Sequence, residues 1–255
     1  MSFSHYLALG DSMSIDLYAA LDAGLTDVSV ALERIEASGH VAPVGAASLF
    51  YKNDESVWPD EIGNDLWSRF PGMTYRRLAV DGATIGDVFG EQLPLVVASD
   101  EPTLVTLTIG TEDLFSAFSG APKRTLLDQI VGDLIEAYDL LIGAIQATLP
   151  NSLLIVTTVC DPSDRTGRIK GVLDDVSPLP IRGGLDRFNV HLREDVSGMS
   201  GVAFADPYVH FLGHGATAPE EDRWFWRRSP IELNAVGANE LRKVWVETLR
   251  GALGG

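Results

Sequence analysis

"HYLALGDSMSIDLY", residues 5–18, is an apolar run of strand character that stops at Gly10 and passes straight into Asp11 and Ser12. In an open α/β sheet, reactive groups collect at the carboxyl ends of the strands, so a serine directly after a buried strand sits where such folds place chemistry. A helix starting near Ser12 would aim its amide groups at developing negative charge. Taken alone, Gly-Asp-Ser reads as a helix start that the serine caps. The rest of the chain decides between the two.

Four further β-rich runs follow: "TYRRLAVDG" (74–82), "TLVTLTIG" (103–110), "SLLIVTTV" (152–159) and "VAFADPY" (202–208). Several are continuously apolar, as strands covered on both faces of a parallel sheet require. Helical patterns separate them. Leu126, Leu127, Ile130, Val131, Leu134, Tyr138, Leu141, Ile142 and Ile145 recur at three- and four-residue spacing. "NELRKVWVETLRGAL" forms a last amphipathic segment. Strands alternating with helices predict a doubly wound α/β sandwich, with the loops after the first strands side by side at one sheet edge. No repeat or linker divides the chain, so residues 1–255 read as one domain.

Two insertions break the rhythm, at 19–73 and 209–231. Within the first, "WPDEIGNDLWSRFPG" predicts a helix and a turn, and "GAASLFYKN" (45–53) is a candidate pocket wall. The second, "VHFLGHGATAPEEDRWFWRRSPI", reads either as a lid or as a loop that Trp224, Phe225 and Trp226 pin to the body.

The 255 residues are 45% hydrophobic and 22% charged, the balance of an ordinary globular protein. A net charge of −17 repels nucleic acid and anionic lipid and favours a small neutral substrate. No leader, membrane span or disulfide is expected, since the start is not basic and Cys160 is alone; a cytoplasmic protein is predicted. Oligomeric state is not written in the sequence.

"GDSMS" resembles the opening block of the GDSL, or SGNH, hydrolases, in which the serine is the nucleophile. "VDGATIGDV" resembles their second block, whose glycine, here Gly82, lends a backbone N–H to the oxyanion hole. "LTIGTEDLF" and "PIELNAVGANELR" resemble the third and terminal blocks, and all four stand in family order. The resemblance implies a flavodoxin-like three-layer α/β/α sandwich on a five-stranded parallel sheet. It also implies a serine esterase or acyl hydrolase that forms an acyl-serine on a small ester or acetylated substrate, without a cofactor.

The blocks depart from the family at its working residues. Gly110 and Asp113 fit the third block, but Glu112 stands where an asparagine would donate to the oxyanion. Asn234 and Gly237 fit the terminal block, but Ser229 and Glu232 stand where the aspartate and histidine would be. Carry-over from the family therefore ends at Ser12 and Gly82. If Glu112 and Glu232 both face Ser12, repulsion and burial raise one of their pKa values, which would let a protonated Glu112 donate to the oxyanion while Glu232 stays ionised.

Among the histidines, His5 begins the first strand at the wrong edge, His191 lies in a helix, and His40 has no distinguishing context. His210 and His214 follow the fifth strand at the right edge, and glycines flank His214. His214 is thus the expected base, oriented by Glu232 or Asp206, with Glu232 itself as the other candidate. Two further readings remain: an impaired SGNH-fold binding protein, favoured by the replacements at Glu112 and Glu232, and an oxygen-rich Ca²⁺ or Mg²⁺ site of Asp11, Glu112, Asp113 and Glu232.

Overall fold

The computed structural model describes residues 2–26, 41–120, 124–169 and 178–254, so His40 lies outside the described residues. All five expected strands form: β1 (His5–Gly10), β2 (Thr74–Arg77), β3 (Thr103–Thr108), β4 (Ser152–Thr157) and β5 (Val202–Ala205). They pair in parallel in the order β2-β1-β3-β4-β5. The chain winds outward in both directions from β1, which brings the ends of β1, β2 and β3 together. That edge carries the Gly-Asp-Ser turn.

Strand periodicity builds the layers. Leu7 and Leu9 of β1, Val105 and Leu107 of β3, and Leu154 and Val156 of β4 face one core. Tyr6, Ala8, Leu104 and Ile155, alternating with them, face the other. The helices of six residues or more among the described residues are α1 (Leu17–Asp22), α2 (Ala46–Tyr51), α3 (Thr111–Gly120), α4 (Arg124–Thr148), α5 (Pro178–Glu194) and α6 (Ala235–Ala252). Tyr138, Leu141, Ile142 and Ile145 of α4 cover the first core, with Phe188 and Leu192 of α5. Phe50 of α2 and Leu241, Trp245 and Leu249 of α6 cover the second.

The stripe expected on α4 begins one residue late. Leu126 is exposed while Leu127 is buried, because adjacent helical residues are about 100° apart and Leu127 is the one in line with Val131 and Tyr138. "GAASLFYKN" is built around α2; its Ala46, Ala47, Leu49 and Phe50 pack into the core, while Ser48, Tyr51, Lys52 and Asn53 line an open cavity together with Pro43 and Tyr75. The expected helix in 58–72 shrinks to a tight turn at Pro59–Glu61 and one helical turn at Leu66–Arg69, capped where Asp65 accepts the Ser68 N–H at 2.6 Å.

The second insertion folds into an antiparallel ribbon, β6 (Phe225–Trp226) and β7 (Ser229–Leu233). Phe225 is buried in the second core, and Trp226 packs with Ile15, Tyr18 and Leu21. The aromatic run therefore pins the loop. Its tip is tied from the loop after β4, where the Asp164 carboxylate accepts the N–H groups of Gly213, Gly215 and Thr217 and the Thr217 hydroxyl. Asp164→Ala strips all of these donors of their acceptor. It is expected to cost about 2–3 kcal/mol and to open the 213–217 tip to proteolysis, read by urea denaturation and limited digestion.

Candidate active site

The Ser12 turn is held by the two strands beside it. Gly10 has φ +122°, and a Cβ there would collide with the Thr108 carbonyl, so β1 and β3 approach as closely as they do because residue 10 is glycine. The Asp11 N–H donates to Thr108 O at 2.8 Å. The Gln92 amide braces the other side: its Oε1 accepts the Gly10 N–H at 2.9 Å, and its Nε2 donates to the Gly10 carbonyl at 2.8 Å. Residues 12–14 make a single tight turn, capped where Asp11 accepts the Met13 N–H at 3.1 Å. No long helix starts there. What Ser12 has beside it is local backbone amide groups, and its own N–H makes no hydrogen bond among the described residues.

Gly82 comes to the same edge. The Val80 N–H donates to the Gly10 carbonyl at 3.1 Å, extending the β2 side past the strand end. Gly82 then turns with φ +66°, exposed, its N–H free of hydrogen bonds among the described residues. Behind it, Thr84 and Asp87 form a reciprocal cap. Asp113, in the first turn of α3, accepts the Ile85 N–H at 3.1 Å, so the third block anchors the second.

Glu232 is delivered by the ribbon. β7 packs against the Ser12 turn and α1. The Glu232 side chain is buried, and burial pushes its carboxyl up to about 8. A hydrogen bond from the Ser12 hydroxyl opposes that shift, while the charges of Asp81, Asp11 and Glu112 add to it. Its Oε2 is buried without a hydrogen-bond partner. The expectation that Glu232 stays ionised is thereby corrected: burial favours its protonated form. Glu112, half-buried in the first turn of α3, accepts from the Ser116 hydroxyl at 3.2 Å. Burial also raises Asp11 to about 7 and Asp113 to about 6.

His214 is not brought to Ser12. Its Nδ1 hydrogen-bonds the Asp222 carbonyl at 2.8 Å, and its ring lies flat on Trp224, with centroids 3.6 Å apart and planes 4° apart. Among the described residues it forms no hydrogen bond with Ser12 or Glu232. The Asp164 tie and the Trp224 stack hold the 209–231 tip in that place, which is why a histidine on the right edge still misses the serine. Asp206 is engaged by Arg193 and Thr158 and orients no histidine. His210 pairs with Glu240 at 2.9 Å, His191 bridges Asp139 and Asp195, and His5 bonds Thr74 and Glu101 at the far end of the sheet.

Asn234 and Gly237 do structural work. Asn234 caps α6 by accepting the Gly237 N–H at 2.8 Å and donates to the Arg223 carbonyl at 2.7 Å. A Cβ on Gly237 would strike the Trp224 carbonyl. The terminal block thus fixes where the ribbon stands whatever residue occupies position 232. The described residues show no grouping of three or more His, Cys, Asp or Glu able to hold a metal ion, so Asp11, Glu112, Asp113 and Glu232 do not form one. Cys160 is buried, and burial pushes its thiol well up, away from reactivity.

Three residues that bear on the site were not singled out in the sequence: Gln92 in its brace, Asp81 beside Gly82, and Asp164 at the 213–217 loop. Each acts through a contact between distant parts of the chain.

The sequence profile of the GDSL-like lipase/acylhydrolase family matches residues 6–194. No curated protein matches. Among solved structures, the chain is similar to a phospholipase A1 from Streptomyces albidoflavus, with 19% identity, a TM-score of 0.64, and 97% of this chain and 100% of that one covered. It is similar to an extracellular lipase from Streptomyces rimosus at 20% identity and a TM-score of 0.60, covering 96% and 99%. A mutant acetyl-xylooligosaccharide esterase from Geobacillus aligns at 14% identity and a TM-score of 0.58, covering 97% and 94%. At these identities the likeness is one of fold. Among the described residues no helix is long and apolar enough to cross a membrane.

Proposed function

The chain belongs to the GDSL-like lipase/acylhydrolase family, and from that we propose that it hydrolyses a small ester through an acyl-serine, with Ser12 as nucleophile and Glu232 as base. The observation that carries this reading is the buried Glu232 carboxyl beside the Ser12 hydroxyl, with its pKa pushed up to about 8. A free glutamate is too weak a base for a serine hydroxyl. Burial brings this one near the operating pH, where general-base catalysis is efficient.

The steps balance as in any acyl-serine hydrolysis. Glu232, ionised, accepts the Ser12 proton as Oγ bonds to the ester carbonyl carbon. The oxyanion is met by the free N–H groups of Ser12 and Gly82. Collapse breaks the bond to the alcohol oxygen, which leaves with the proton from Glu232. Water then attacks the acyl-serine, gives its proton to Glu232, and the acid departs as Ser12 regains its hydrogen. Asp113 serves as a positioning residue, since it holds the backbone that presents Gly82.

Glu112 brings no amide donor to the oxyanion, and loss of one such donor typically lowers kcat by ~10²–10³. A slow enzyme is therefore expected. The same replacement favours the second reading, a binding protein on this fold. Hydrolysis of short-chain p-nitrophenyl esters by wild type, Ser12→Ala and Glu232→Gln separates the two. Turnover that vanishes in both variants supports the hydrolase. Equal background rates in all three leave the binding protein. The location in the cell that goes with this reading is the cytoplasm, in keeping with the lone Cys160.

A further inference from the structure

Resting on the hydrolase reading, we propose that Gln92 is a positioning residue for the reaction, setting the spacing between the Ser12 nucleophile and the Gly82 N–H that meets the oxyanion. β2 pairs with β1 only as far as Ala8, so among the described residues Leu9 and Gly10 have a strand partner on the β3 side alone. On the open side the Gln92 carboxamide takes the place of the missing peptide group. Its Oε1 accepts the Gly10 N–H at 2.9 Å, and its Nε2 donates to the Gly10 carbonyl at 2.8 Å. From the other side, Thr108 O accepts the Asp11 N–H at 2.8 Å. The peptide that leads into Asp11 and Ser12 is thus fixed on both sides.

The Gly10 carbonyl is shared. It also accepts the N–H of Val80, two residues before Gly82, at 3.1 Å. One oxygen therefore ties Gln92 to both the chain that carries Ser12 and the chain that carries Gly82. The helical stretch 85–95 adds a separate observation. A single π-helical turn, Val88–Gln92, interrupts it, and the Leu93 N–H donates to the Val88 carbonyl five residues back. Such turns are rare and are found frequently at functional sites. Here the turn ends on Gln92, whose side chain is buried. The stretch opens at Thr84 and Ile85, just past Gly82, where Asp113 accepts the Ile85 N–H. It thus meets the Gly82 turn at one end and Gly10 at the other.

Attack by Ser12 and stabilisation of the oxyanion by Gly82 must act on one carbonyl at the same moment. A relative displacement of ~1 Å between such groups costs about 10²-fold in rate. Substrate binding draws on the rest of the site and does not need that spacing. The contribution of Gln92 therefore belongs in kcat and not in KM.

The test measures kcat, KM and urea stability for wild type, Gln92→Leu and Gln92→Glu on a short-chain p-nitrophenyl ester from pH 6 to 9. In Gln92→Leu, kcat per folded protein is expected to fall about 10²-fold, with KM within about twofold of wild type. Gln92→Glu separates positioning from simple damage. Protonated, its carboxyl donates and accepts as the amide does; ionised, it cannot donate to the Gly10 carbonyl. Burial keeps it protonated at the lower end of the range. Its kcat relative to wild type at the same pH is then close to one at pH 6 and falls toward the Gln92→Leu level by pH 9. Taking the ratio cancels the ionisation of Glu232, which both proteins share. If urea midpoints drop in both variants while kcat per folded protein stays within about twofold, Gln92 serves the fold alone. That result overturns the inference and leaves the hydrolase reading intact. Should Gln92→Leu fail to fold, a Gln92→Glu ratio that is flat with pH overturns the inference by itself. If the wild type neither turns over the ester nor is labelled at Ser12 by an activated ester, the hydrolase reading fails and the inference falls with it.

Discussion

Ser12→Ala is expected to bring ester hydrolysis down by ~10³-fold or more, to the rate of a site that binds and polarises but cannot form an acyl-enzyme. The fold should be untouched. Ser12 is half-buried, its turn is held by Asp11 and the Gly10 clamp, and no structural hydrogen bond other than that to Glu232 uses its hydroxyl. Mass spectrometry supplies an independent check: incubation with an activated ester should label the wild type at the Ser12 peptide and leave Ser12→Ala unlabelled.

Glu232→Gln should separate activity from stability. Losing the base lowers kcat by ~10²–10⁴. Stability moves the other way, and the sign follows from proton linkage. The carboxyl has its ordinary pKa of 4.5 when the chain is unfolded and about 8 when folded. Between these values the folded state holds a proton that the unfolded state releases, so stability falls as pH rises through that window. Asp11, raised to about 7, and Asp113, raised to about 6, act in the same direction over narrower windows. Glutamine removes the largest of these contributions. At pH 9 the variant should be more stable than wild type by about 1–3 kcal/mol, with the gain disappearing near pH 4.5. Thermal melts of both proteins from pH 4.5 to 9 check it. A residue retained for structure would show the opposite: the substitution would destabilise the protein.

Much of the scaffold was legible because its signals are local. The strands are continuous apolar runs, and β1, β3 and β4 had to be covered on both faces. Leu127 and Tyr138 marked the buried stripe of α4. The position of Ser12 followed from where β1 ends. What escaped were contacts between segments far apart in the chain. Gln92 lies 82 residues from the Gly10 it clamps, and Asp164 lies about 50 residues before the loop it ties. No periodicity announces such pairs.

The proposed base shows the same limit. A histidine is the chemically ready partner for a serine, and His214 stands on the correct edge, so residue chemistry alone favoured it. Its placement depends on Trp224 and Asp164, which turn it onto an aromatic face. Glu232 looked like a lost histidine because a glutamate's reference pKa is too low. Only burial against Ser12 changes that, and burial is a property of the ribbon as a whole.

The pH dependence of kcat/KM, measured for wild type and His214→Ala on one neutral ester, tests the glutamate base most directly. This quantity reports ionisation in the free enzyme. Glu232 as base predicts activity rising through about pH 8 in both proteins, with rates within a few-fold of each other. An ascending limb near ~6.5 that disappears along with activity in His214→Ala would contradict it and return the proton to the histidine.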